Sequence, residues 1–73
     1  MALSKEEIRK NVLQQLVNHP QLREENISVD VESEELVLQG EVESKDHKWL
    51  AEEVAYDVLG VVHVKNQLNV LQE

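Results

Sequence analysis

Leu36-Val37-Leu38-Gln39-Gly40-Glu41-Val42 places Leu36, Leu38 and Val42 on one face of an extended chain and mostly polar side chains on the other. Period-two alternation of this length marks a half-buried β-strand. Gly40 falls in the apolar row, where the missing side chain lets a helix or another backbone approach closely. The rest of the chain is read as whatever covers that row.

Working outward toward the N-terminus, Ile27-Ser28-Val29-Asp30-Val31 alternates in the same way, and Glu32-Ser33-Glu34-Glu35 separates the two runs. Closing a hairpin around Ser33 and Glu34 opposes Val31 to Leu36, Val29 to Leu38 and Ile27 to Gly40. That register puts the apolar row of each strand on one face, whereas a one-residue slip would send one row to the other face. A tight two-residue turn wants Asn-Gly or Asp-Gly, so Ser33-Glu34 predicts a looser four-residue tip. Glu32, Glu34 and Glu35 crowd it, either as a solvated tip or as a set of carboxylates that can collect a cation.

Ahead of the hairpin, Ser4 followed by Glu7 reads as a capping box, with Leu3 and Ile8 as a hydrophobic staple. The first helix therefore starts at Lys5. Ile8, Val12, Leu13, Leu16 and Val17 recur at helical spacing, and Glu6 and Lys10 form an i,i+4 pair. Pro20 ends the helix near Asn18 or His19, and Leu22 folds back over its end.

Beyond the opening strand, Ser44 is the N-cap of a second helix expected to run to about Leu59, with Gly60 as its left-handed C′ residue. Ala51, Val54, Ala55 and Val58 share a buried sector, with Leu50 at its margin. At about 100° per residue, Trp49 and Tyr56 fall nearly opposite that sector. They are the chain's only aromatic residues. Large aromatics outside a small core meet partners, ligands or a membrane interface, unless the first helix covers an edge of them. Val61 through Leu71 reads as a third strand with Val62, Val64, Leu68 and Val70 inward. Asn66 stands in the same inward row, where its amide must be satisfied and is expected to tether neighbouring backbone. A strand, helix and strand in succession form a crossover unit. The expected fold is α+β: a two-layer αββαβ sandwich with two helices on one face of a three-stranded mixed sheet, as a single domain over residues 1–73. The opposite sheet face, with Ser28, Asp30, Val37, Gln39, Glu41, His63, Lys65, Gln67 and Asn69, is polar enough to meet water.

Seventy-three residues form one small domain, which buries only about 60% of the surface its unfolded chain exposes. No cysteine is present to staple it, and His19, His47 and His63 are too far apart for a local ligand spacing, so no metal and no cofactor are expected. The net charge is −8, and all of it lies between Asp30 and Asp57, where ten carboxylates face Lys45 and Lys48. Such a field repels phosphate backbones, which argues against nucleic acid and leaves cations, basic partners or plain solubility. Catalysis has little to stand on: there is no cysteine nucleophile and no Gly-rich phosphate loop, and the adjacent pair Asp46-His47 points apart on a helix. No apolar segment resembles a signal peptide or a membrane span, so the chain as written reads as cytoplasmic. A domain excised from a longer exported protein would instead be periplasmic or envelope-bound.

The row ending in Leu38-Gln39-Gly40-Glu41-Val42, then Ala51, Ala55 and Val58, then Gly60-Val61 with Val64, Asn66, Leu68 and Val70, resembles the BON domain of bacterial OsmY and nodulation proteins. Ile8, Val12, Leu16, Pro20 and Leu22 extend the likeness over nearly the whole chain. The chain departs from the family at the hairpin tip, where Ser33-Glu34 stands in place of the usual Asn-Gly. The resemblance implies a non-catalytic module of the bacterial envelope, of osmotic-stress proteins or of transport-associated proteins. It implies attachment to membrane phospholipid or to a protein partner, and in some relatives an association with potassium. A lipid- or partner-facing patch is then expected at Trp49 and Tyr56 with Lys45 and Lys48. It rests on helical geometry alone, and the overall acidity works against anionic lipid. For a cation, Glu32, Glu34 and Glu35 are the candidates.

Overall fold

The computed structural model describes residues 4–23, 25–32 and 35–71. Its elements run α1 (Lys5–Asn18), β1 (Asn26–Glu32), β2 (Glu35–Val42), α2 (Lys45–Tyr56) and β3 (His63–Val70). The fold is the αββαβ arrangement expected from the sequence. The sheet order is β1-β2-β3, so β2, which carries Leu36, Leu38 and Val42, is the central strand.

β1 and β2 are antiparallel, with Val31 opposite Leu36, Val29 opposite Leu38 and Ile27 opposite Gly40, the register required by the apolar rows. β2 and β3 are parallel, pairing Leu36 with Val64, Leu38 with Asn66 and Gly40 with Leu68. The hairpin tip at Ser33-Glu34 lies outside the described residues, as does Leu3 of the expected staple. Gly40 has φ +125°, and a Cβ there would sit 2.0 Å from the carbonyl oxygen of Asn26. The close approach is therefore made by the backbone of β1.

α1 begins with the full capping box: Glu7 N donates to Ser4 Oγ at 3.1 Å, and Ser4 N donates to Glu7 Oε1 at 3.5 Å. Glu6 pairs with Arg9 at 3.6 Å, one residue short of the expected Lys10. Val12 and Leu16 of α1 join Leu22, Val29, Val31, Leu36, Leu38, Val42, Ala51, Val54, Ala55 and Leu68 in one core. Each large side chain buried there contributes about 1.5–3 kcal/mol relative to exposure, before the ordering entropy of the chain is counted. Leu22 is only 2% exposed, as expected of a residue folded over the helix end.

Three expectations are corrected. α2 ends at Tyr56, not Leu59, and passes into a turn in which Val58 N donates to Ala55 O and Val61 N to Val58 O. Gly60, at φ +98°, serves that turn. β3 starts at His63, so Val62, expected inward, stands 54% exposed ahead of the strand. Val37, assigned to the watery face, is 7% exposed because it lies mid-strand on β2, flanked in register by Asp30 and Lys65.

Candidate functional site

α2 is set by Ser44, whose Oγ accepts from His47 N at 3.3 Å, and by the inward sector Ala51, Val54 and Ala55. Burying that sector forces Trp49 and Tyr56 outward, and they are 64% and 46% exposed. Lys45 is exposed and Lys48 half-buried, and both line a shallow depression with Leu68, Asn69 and Val70 at the end of β3. The two lysines are thus brought together, on the β3 side of the helix, with Trp49 beside them in sequence.

Tyr56 is not wholly free. Its hydroxyl accepts a hydrogen bond from Val64 N at 3.3 Å, which holds the ring beside the start of β3. Leu59 (79% exposed) and Val62 (54%) stand exposed in the connection that follows, Leu59 beside Asn11, Gln14 and Gln15 of α1. The sequence reading missed these two because it placed one in the helix and the other in the strand. The signal available was Gly60, which marks a turn between them.

Of the hairpin carboxylates, Glu32 and Glu35 are opposed at the last rung of the β1–β2 ladder, both exposed, and Glu34 lies outside the described residues. A different acidic constellation forms where the α1–β1 connection meets the β2–α2 junction. Glu25, Glu43 and His47 each bring one donor atom within 4.8 Å of the others, and His47 Nδ1 lies 2.7 Å from Glu25 Oε1. No local spacing announces this group, since the fold assembles it from three separate segments.

The family model of the BON domain matches residues 4–72. The chain belongs to the BON domain family. A comparison with curated proteins finds no match. Among solved structures, the chain is similar to CdsD, a structural protein of the Type III secretion system of Chlamydia trachomatis, with a TM-score of 0.79 at 20% identity. The likeness covers 97% of this chain and 34% of CdsD, so the chain spans about a third of that protein. At that identity it shows a shared fold. Membership in the BON family supports a non-catalytic module, and Trp49 and Tyr56 stand exposed on the outer side of α2. No helix among those residues is long and apolar enough to cross a membrane.

Proposed function

We propose that this BON domain is a non-catalytic attachment module that associates with phospholipid surfaces of the cell envelope through the outer side of α2. The observation that carries the reading is Trp49, a large aromatic 64% exposed on the helix face opposite the core. An indole gains at the boundary between headgroups and acyl chains, where its ring is apolar and its N–H stays wet. Lys45 and Lys48 supply the positive charge available on that helix for lipid phosphate. The net charge of −8 sets the lipid preference: zwitterionic surfaces are favoured, and anionic ones repel the rest of the domain at low salt.

Trp49 is the only tryptophan, so its emission reports the contact directly. Titration with phosphatidylcholine vesicles should shift the emission to the blue, with a smaller response to phosphatidylglycerol vesicles at low ionic strength. No shift with either lipid, together with no co-sedimentation, would sink the proposal. The same probe reads the cation alternative, which requires a response to potassium and none to sodium. Docking onto an envelope protein through the same face is a second reading, supported by the fold shared with a structural protein of a secretion system. It requires Trp49 to be quenched or shifted by that partner in the absence of lipid.

A further inference from the structure

We propose that Glu25, Glu43 and His47 form a binding site for a divalent metal ion of the zinc class, separate from the α2 surface. The three residues come from different parts of the chain. Glu25 closes the α1–β1 connection, its N donating to Leu22 O at 3.1 Å and its carbonyl accepting from Ile27 N at 3.1 Å. Glu43 follows the last residue of β2, and His47 lies in the first turn of α2, held by the Ser44 cap. The hairpin register, with Asn26 opposite Glu41, sets Glu25 level with Val42, the residue before Glu43.

The donors differ from a solvated acidic patch in two respects. The side chains of Glu25 and His47 are only 13% and 24% exposed. Among the described residues, neither glutamate has a lysine or arginine within ion-pairing distance, and the partner of Glu25 is His47 itself. Two carboxylates and one imidazole therefore form a group, half-buried at Glu25 and His47 and exposed at Glu43, whose formal charge, with the imidazole neutral, is matched by one divalent cation. An imidazole nitrogen with carboxylate oxygens suits zinc, cobalt or nickel, whereas calcium and magnesium favour oxygen alone.

The distances set what must move. Donors around a tetrahedral zinc ion are about 3.3 Å apart, given bonds of about 2.0–2.2 Å. The 2.7 Å contact between Nδ1 and Glu25 Oε1 opens slightly to admit the metal, with the neutral imidazole carrying its proton on Nε2, and the widest separation, within 4.8 Å, closes by rotation of exposed Glu43. Three protein ligands leave a coordination position for water. Metal in this position clamps the α1–β1 connection to the β2–α2 junction.

The test uses the whole chain, stripped with chelator and titrated with zinc chloride. Calorimetry should give one zinc per chain, and the ring nitrogens of His47 should shift in step with it while those of His19 and His63 stay put. At about 100 times Kd, zinc should raise the unfolding midpoint by about 11–22 °C. Glu43→Gln alters an exposed side chain and should leave the metal-free midpoint unchanged while weakening zinc binding by about 10-fold or more. The proposal is overturned if zinc up to about 1 mM leaves His47 unmoved. It is equally overturned if binding survives both Glu25→Gln and Glu43→Gln, or if magnesium binds as tightly as zinc.

Discussion

Asn66 of β3 donates its side-chain amide to the main-chain carbonyl of Lys48 in α2, 2.9 Å away. The same amide reaches Glu52 Oε1 at 3.2 Å, and its oxygen accepts from Leu68 N at 3.2 Å. A polar side chain in an inward row is thereby satisfied at both ends, and it joins the helix to the strand with a direction that apolar packing lacks. Asn66→Ala should cost about 1–3 kcal/mol, since it leaves half-buried groups without partners. Asn66→Asp should cost more at neutral pH, because it cannot donate and sets a second carboxylate against Glu52. Urea unfolding ranks the two, and an aspartate variant as stable as the parent would show that these bonds contribute nothing.

β3 is an edge strand, and two of its amides of the same parity are taken by side chains: Leu68 N by Asn66, and Val64 N by the hydroxyl of Tyr56 at 3.3 Å. An edge with two of its donors engaged is a poorer template for pairing with another chain along β3. Tyr56→Phe keeps the ring and frees the amide. It should change stability by no more than about 1 kcal/mol and make hydrogen exchange at Val64 faster, with Leu68 unaffected. Unchanged exchange at Val64 would mean that the hydroxyl gives this edge no protection.

Gly40 combines φ +125° with an Asn26 carbonyl oxygen 2.0 Å from the position of any Cβ. Either condition alone disfavours a side chain, and here the obstructing atom is backbone, which cannot swing aside. Gly40→Ala should destabilise the domain by about 2–4 kcal/mol through strain and displacement of β1. Ile27, the register partner of Gly40, should show the largest amide shift. A loss below about 1 kcal/mol would mean that the hairpin absorbs the side chain by bending.

What could be read in advance divides by the range of the interaction. The hairpin register was legible because a one-residue slip would part Val29 and Val31 from the face of Leu36 and Leu38 while the short connection between the strands limits larger slips, and the start of α1 because Ser4 and Glu7 contact each other within one turn. The end of α2 was not: Val58 is buried at 8% exposure, as the helical pattern requires, yet a turn carries it there. Periodicity counts burial and cannot distinguish the two routes. Val62 misled for a related reason, since Val61-Val62 reads as strand in isolation and the turn through Gly60 delays the ladder to His63. The outward position of Trp49 followed from the helix, whereas the meeting of Glu25, Glu43 and His47 depends on hairpin and crossover together. Tyr56 was half legible. Its side of the helix was right, but its bond to Val64 depends on where β3 begins.

Trp49 separates attachment from folding. An exposed residue outside the core contributes little to stability, and Trp49→Ser should shift the unfolding free energy by no more than about 0.5 kcal/mol. The same substitution removes the largest apolar side chain on the proposed contact face. Flotation with phosphatidylcholine vesicles, which needs no tryptophan signal, should fall by about 10-fold in apparent affinity, the equivalent of about 1.4 kcal/mol. Lys45→Gln together with Lys48→Gln should weaken binding less, and mainly at low salt, since exposed charges are screened over about 10 Å at 0.1 M. The contrast between the variants carries the argument. A loss on Trp49→Ser larger than that of the lysine pair and insensitive to salt means that apolar insertion drives attachment. A loss confined to the lysine pair would replace that model with electrostatic adsorption, and equal binding by all variants would remove α2 from the contact altogether.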